Sequence, residues 1–154
     1  MSANQKKFVF FTMIFLFVVP LIGCNEKEVN QPNTKENHYI EFVKLDGKTV
    51  ISAAIATVGE SLLDVKDPHI TYDQENSAEL QTFVDAIEKA EKLDGVFDMT
   101  APDYLLTLTF EDKSTAKYSL WLGADGGSLM NEKDSHTLYK LPSNLIDDLN
   151  KYVK

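Results

Sequence analysis

The sequence predicts an α+β fold: an antiparallel β-sheet of about five to seven strands, with one main helix and a short C-terminal helix packed on one face. Three observations carry that expectation. Two pairs of apolar, alternating segments flank short polar breaks, at Asp46-Gly47 and at Glu111–Ser114. One long segment, 77–93, has apolar residues at helical spacing. A shorter one follows Pro142.

The elements follow in chain order. HYIEFVKL (38–45) and KTVISAAIATV (48–58) read as a hairpin about Asp46-Gly47, a pair that tolerates positive φ. The alanines of the second arm leave a helical start open there. Asp67-Pro68 breaks the chain before a short strand at Ile70–Tyr72. Asn76, with Glu79 three residues on, has the pattern of a capping box opening a helix from Ser77 to Leu93. Leu80, Phe83, Val84, Ile87 and Ala90 form its apolar stripe, which suits a core face on a sheet, and Gly95 stands where a C-cap is expected. YLLTLTF (104–110) and TAKYSLWL (115–122) form a second hairpin. Alternation places Tyr104, Leu106, Leu108 and Phe110 on one face, joined by Ala116, Tyr118, Leu120 and Leu122. Asp125-Gly126 is another tight turn, leading to a strand at 128–131, and TLYKL (137–141) closes the sheet. Pro142–Val153 suits a final helix with Leu145, Ile146 and Leu149 inward.

A chain of 154 residues is about one domain's worth. Its 15 basic residues are all lysine and face 24 acids, with a pI near 4.7. Arginine is the usual tool for bidentate grip on phosphate and guanine, and duplex binding depends on cationic neutralisation. Lacking both, the sequence argues against nucleic acid as a partner.

The N-terminus has three parts. Lys6 and Lys7 precede a run of fourteen residues, 8–21 (FVFFTMIFLFVVPL), in which only Thr12 is polar. As a helix it would reach about 21 Å, short of the ~30 Å hydrocarbon core but within the range of a secretory signal. The flanking lysines hold that end in the cytoplasm. Leu21-Ile22-Gly23-Cys24 then resembles the lipobox of bacterial lipoproteins, with an aliphatic residue at −3, a small one at −1 and the cysteine. The resemblance implies signal cleavage between Gly23 and Cys24 and a diacylglyceryl group on the Cys24 sulfur, the nucleophile that forms the thioether. An ordinary signal peptide, or a core helix with a buried thiol, is the alternative reading. Cys24 is the chain's one cysteine, so no intramolecular disulfide accounts for it.

Residues 1–23 are thus expected to be a signal peptide, and 24–37 a lipidated cysteine with a polar tether (NEKEVNQPNTKEN) whose reach is roughly 20 Å. A single α+β domain occupies 38–154. Two acyl chains give a stable anchor, so the expected location is the outer face of the cell membrane. Loss of Lys6 and Lys7 leaves a net side-chain charge of about −11, which disfavours adsorption to anionic headgroups without the anchor.

Pro102-Asp103-Tyr104, Tyr118-Ser119-Leu120-Trp121-Leu122, Gly127-Ser128-Leu129-Met130 and Thr137-Leu138-Tyr139-Lys140-Leu141 resemble the YhfM-like lipoproteins of spore-forming Gram-positive bacteria. The likeness covers roughly 38–154 and the anchor. It implies an envelope location and the fold class above; the family supplies no catalytic residues to carry over.

The residues that bear chemistry are dispersed. His38, His69 and His136 lack ligand partners at helical spacing, so neither a metal nor another cofactor is expected. The loop 125–134 holds oxygen donors without a calcium-loop spacing. Asp134-Ser135-His136 has suggestive residue types, but neighbours in an extended chain point to opposite faces, so a polar turn is the simpler reading. Trp121 is different. It lies on the sheet face opposite the core stripe, with Lys117 and Ser119 beside it and Thr107 and Thr109 across the hairpin, a possible binding surface for which an amphipathic ring is well suited. The alternative is that the last helix or the first hairpin covers it. Together these features point to a membrane-anchored, non-enzymatic binding or interaction module with an envelope protein as partner. A small-ligand or peptide-binding accessory protein is the second reading, and an envelope hydrolase the third.

Overall fold

Asp46 (φ 51°) and Gly47 (φ 76°) both take the left-handed backbone that a two-residue hairpin turn needs. They join β1 (Lys44–Leu45) to β2 (Lys48–Thr57), so the second arm is strand from its first residue and not helix. The computed structural model describes residues 42–154. The expected signal peptide, Gly23, Cys24, the tether, His38 and Tyr39 lie outside the described residues.

Strand β2 carries a bulge. Val50 stands opposite Phe110 and Ser52 opposite Thr109, leaving Ile51 as the extra residue. That rephases the alternation, so Val50, Ala53 and Ile55 all reach the core. Strand β3 (Ile70–Asp73) pairs with β2 at Ser52–Ile55, on the edge that β1 uses further up.

A single 3-10 turn, Gln74–Asn76, leads into α1 (Ser77–Glu88). The expected capping box at Asn76 and Glu79 does not form. The Asn76 amide oxygen accepts from Asp73 N–H instead, while the Asp73 carboxylate accepts from Glu75 N–H, so the reciprocal cap sits on the turn before the helix. The far end also differs. The helix stops at Glu88, and Glu91–Lys92 form β4, paired with β8 (Tyr139–Lys140). Leu93 N–H donates to the Leu138 carbonyl. A strand pairing nearly fifty residues away thus claims the backbone that local spacing assigned to the helix. Gly95 (φ 134°) lies in the loop beyond and caps nothing.

The second hairpin follows expectation residue for residue: β5 (Tyr104–Phe110) and β6 (Thr115–Leu122), with Leu106 opposite Tyr118 and Leu108 opposite Ala116. Strand β7 (Gly127–Asn131) pairs with β6 and then with β8. The antiparallel order is β1-β2-β5-β6-β7-β8-β4, with β3 beside β2, eight strands in all among the described residues. A 3-10 turn at Ser143–Leu145 opens α2 (Ile146–Tyr152).

One core joins the inner sheet face to both helices. Leu80, Phe83 and Val84 of α1, Ile146 and Leu149 of α2, and Ile55, Leu106, Leu108 and Leu120 of the sheet are all buried. The carbonyls that a helix leaves unbonded at its last turn find partners at α2: Tyr72 Oη donates to Tyr152 O at 2.9 Å, and His69 Nε2 lies 3.0 Å from Val153 O. Tyr72, Phe83 and Tyr152 form a ring cluster, with centroids 6.0 to 6.5 Å apart, that ties β3, α1 and α2 together. The architecture is an α+β fold with one main and one short C-terminal helix. Among the described residues no helix is long and apolar enough to cross a membrane.

Candidate functional site

The outer face of β6 carries Lys117, Ser119 and Trp121, because residues two apart in a strand share a side. Cross-strand register sets Met130 of β7 beside Ser119 and Ser128 beside Trp121. Two connections then rise over this end of the sheet: the loop after β2, and the segment Met99–Pro102 that leads into β5. Between them lies a cleft of about 330 Å³, walled by Trp121, Met130, Met99, Pro102, Leu62 and Ser119, with Glu60, Ser61 and Thr100 also on its lining.

The geometry is held by backbone contacts. Trp121 Nε1 donates to the Thr100 carbonyl at 3.1 Å, which orients the indole edge against the approach to β5. Asp103 anchors that approach three ways: its carboxylate accepts from Leu122 N–H at 2.8 Å, its N–H donates to Leu120 O, and its carbonyl accepts from Val58 N–H. The loop after β2 is closed by a bridge between Val58 and Val65 and by Gly59 N–H donating to Asp64 O. A Cβ at Gly59 would meet the Asp64 carboxylate, an exposed side chain with room to move aside.

Trp121 and Ser119 are therefore brought together, Ser119 with only 5% of its surface exposed. Lys117 is not part of the cleft. It shares the face but lies one strand repeat further on, exposed, with its Nζ 4.0 Å from Glu132 Oε2. Thr107 and Thr109 likewise stand on the open part of the sheet. Trp121 is partly buried, and among the described residues those lining the cleft over it come from the two connections and from neither α2 nor the first hairpin. Leu62, Met99 and Pro102 are the lining residues that strand periodicity did not reveal. Met130 was legible by alternation along β7. Leu63, the chain neighbour of the lining residue Leu62, is 98% exposed.

The other suggestive residues fall elsewhere. Asp134, Ser135 and His136 are all exposed in the β7–β8 connection, where Asp134 N–H donates to Asn131 O and its carbonyl accepts from Thr137 N–H in a turn. His69 is engaged at the end of α2. Tyr72 belongs to the core cluster, and burial raises its phenol above the ordinary value. Among the described residues no group of three or more His, Cys, Asp or Glu converges as a metal site. The strongest carboxylate perturbations are structural: Lys48 and Ser114 hold Asp112 well below its usual range, and Lys89 with Gln81 lower Asp85 on α1.

Fold and cleft together define a small α+β domain with an apolar recess built on the outer face of an antiparallel sheet. The chain belongs to the YhfM protein family, whose family model matches residues 60–154 and so spans both cleft walls. No curated protein and no solved structure matches it.

Proposed function

We propose that the chain is a lipoprotein anchored through Cys24 at the outer face of the cell membrane, as in Gram-positive bacteria. Its domain is a non-enzymatic binding module that receives an apolar group of an envelope protein in the Trp121 cleft. The cleft is the observation that carries this reading. A rigid indole, fixed by its N–H and flanked by two methionines, offers a large contact area that adapts to its occupant. The lipobox-like Leu21-Ile22-Gly23-Cys24 supports the anchor.

Photo-crosslinking in cells tests the module. A photoreactive residue at Leu62 is expected to trap one dominant envelope protein, identified by mass spectrometry. The adduct should be lost in the Cys24→Ala form and absent from a control position at Glu75, away from the cleft. Equal adducts from both positions, or an adduct indifferent to the anchor, would overturn the reading. Independently, Cys24→Ala should abolish metabolic labelling by an alkynyl fatty acid; a variant still labelled would dispose of the anchor.

The second reading, a small-ligand or peptide-binding accessory lipoprotein, is favoured by the cleft's volume, at the lower end of small-molecule sites. Trp121 is the sole tryptophan, so saturable quenching by the small-molecule fraction of an envelope extract would select it. An envelope hydrolase has the least support, and Asp134→Ala with His136→Ala is expected to leave the cellular role intact.

A further inference from the structure

A second recess lies on the opposite side of the sheet from Trp121. It is formed where the β1–β2 turn meets the β7–β8 connection, with a volume of about 300 Å³. Tyr118 is its inner wall. That residue is only 5% exposed, yet no described residue is hydrogen-bonded to its hydroxyl, and its side chain lines the recess. Around it stand Asp46, Asp134 and Asn131, with Ile87 of α1, Leu129 and Tyr139.

The chemistry of that lining is one-sided. Two carboxylates, an amide and two phenols offer acceptors, and among the described residues no basic side chain lines the recess. Burial raises the Tyr118 phenol, and the Asp46 carboxylate adds to it. An anion would be repelled. A divalent cation needs six or more oxygens, or a strict octahedron, and among the described residues this recess supplies two carboxylates with no third acidic, His or Cys ligand. An organic ammonium needs only two or three acceptors for its N–H groups. It gains further from aromatic faces and from apolar walls along its carbon stem.

We propose that this recess binds an alkylammonium group, with Asp46 and Asp134 accepting from the nitrogen, the Tyr118 hydroxyl supplying a further acceptor, and Ile87 and Leu129 lying along the carbon chain. A free diamine and a lysine side chain present the same chemistry. The site is independent of the Trp121 cleft and stands whether or not that cleft binds a protein.

The test titrates the full chain, 15N-labelled in non-ionic detergent, with cadaverine and separately with Nα-acetyl-lysine amide, following the amides of Asp46, Asn131 and Asp134. Saturable shifts confined to this recess are expected, with pentanol and pentanoate inert at the same concentrations. The tighter of the two amines identifies the source as free diamine or protein lysine. Asp46→Asn, which retains a residue suited to the left-handed turn, should weaken binding about tenfold or more, as expected for a lost charge-assisted hydrogen bond. Tyr118→Phe should weaken it less. Should Tyr118→Phe perturb the fold, Asp134→Asn in the exposed connection serves instead. Shifts equally produced by pentanol, no saturable shift with either amine, or wild-type affinity in Asp46→Asn would each overturn the assignment.

Discussion

Replacing Phe83 by alanine is expected to be among the most damaging single changes in the domain. The ring is 1% exposed and lies 6.0 Å from Tyr72 and 6.5 Å from Tyr152 between centroids. Its loss removes buried apolar surface and opens a cavity where β3, α1 and α2 meet. The cost is about 3–5 kcal/mol. Unfolding entropy of about 2.1 cal/mol/K per residue gives roughly 0.23 kcal/mol/K for a domain of this size, so the midpoint should fall by about 13–22 °C. Phe83→Leu separates the contributions. It keeps most of the apolar volume and sacrifices the two ring pairs, each contributing about 0.5–1.5 kcal/mol, so its loss should be roughly half as large. Thermal unfolding followed by far-UV circular dichroism and by Trp121 emission reads both variants, and the two probes must coincide. Trp121 sits on the other face of the sheet, so it reports the whole domain and not the cavity. A fall of only a few degrees for Phe83→Ala would refute the reasoning, as would equal losses for the two variants.

Further expectations are narrower. Tyr72→Phe deletes the donor to Tyr152 O and should cost about 1 kcal/mol, with faster amide exchange in the last turn of α2. Gly127→Ala should destabilise by about 1–3 kcal/mol, because its Cβ would stand 2.7 Å from the Trp121 carbonyl and 3.0 Å from Leu122 and Leu141; denaturant midpoints measure this. Gly47→Ala meets no neighbour, so its cost is that of the left-handed backbone alone, about 1–2 kcal/mol in the same assay. Asp85 and Asp112 have lowered pKa values, so the stability they contribute is present above the ordinary carboxylate value near 3.8 and is lost as pH falls through the folded values; Asp85→Asn should flatten that acid limb. Tyr72 and Tyr118 are raised. Stability is therefore full below pH 10 and declines as pH rises above it towards the folded values, and Tyr118→Phe should reduce the decline.

Local signals and distant ones were not equally legible. The β5–β6 hairpin could be bounded to the residue because its alternation, its turn and its partner all lie within nineteen consecutive positions. The Asp46-Gly47 turn was readable for the same reason. The end of α1 was not, since it depends on β8 capturing Glu91 and Lys92 from far along the chain. The bulge at Ile51 left no periodic mark that spacing could separate from simple irregularity, yet it decides which of the β2 residues are buried. At the cleft, alternation placed Trp121 and Ser119 on one face and included Lys117, which shares the face but stands beyond reach; Met130 follows the same alternation along β7 and was missed. Leu62 and Met99 arrive on irregular connections whose course depends on the backbone bonds of Asp103 and Gly59. No pattern in sequence announces such contacts.

The two bonds that hold the end of α2 have a consequence for how the chain is made. His69 and Tyr72 reach carbonyls 84 and 80 positions later, and Val153 is as deeply buried as the centre of β2. The ring cluster around Phe83 is likewise open until Tyr152 arrives. A nascent chain that has emerged only as far as Leu141 holds all eight described strands and α1 but not α2, whose Ile146 and Leu149, with Val153 at its end, complete the core. Folding is then a late, concerted event and not a progressive one.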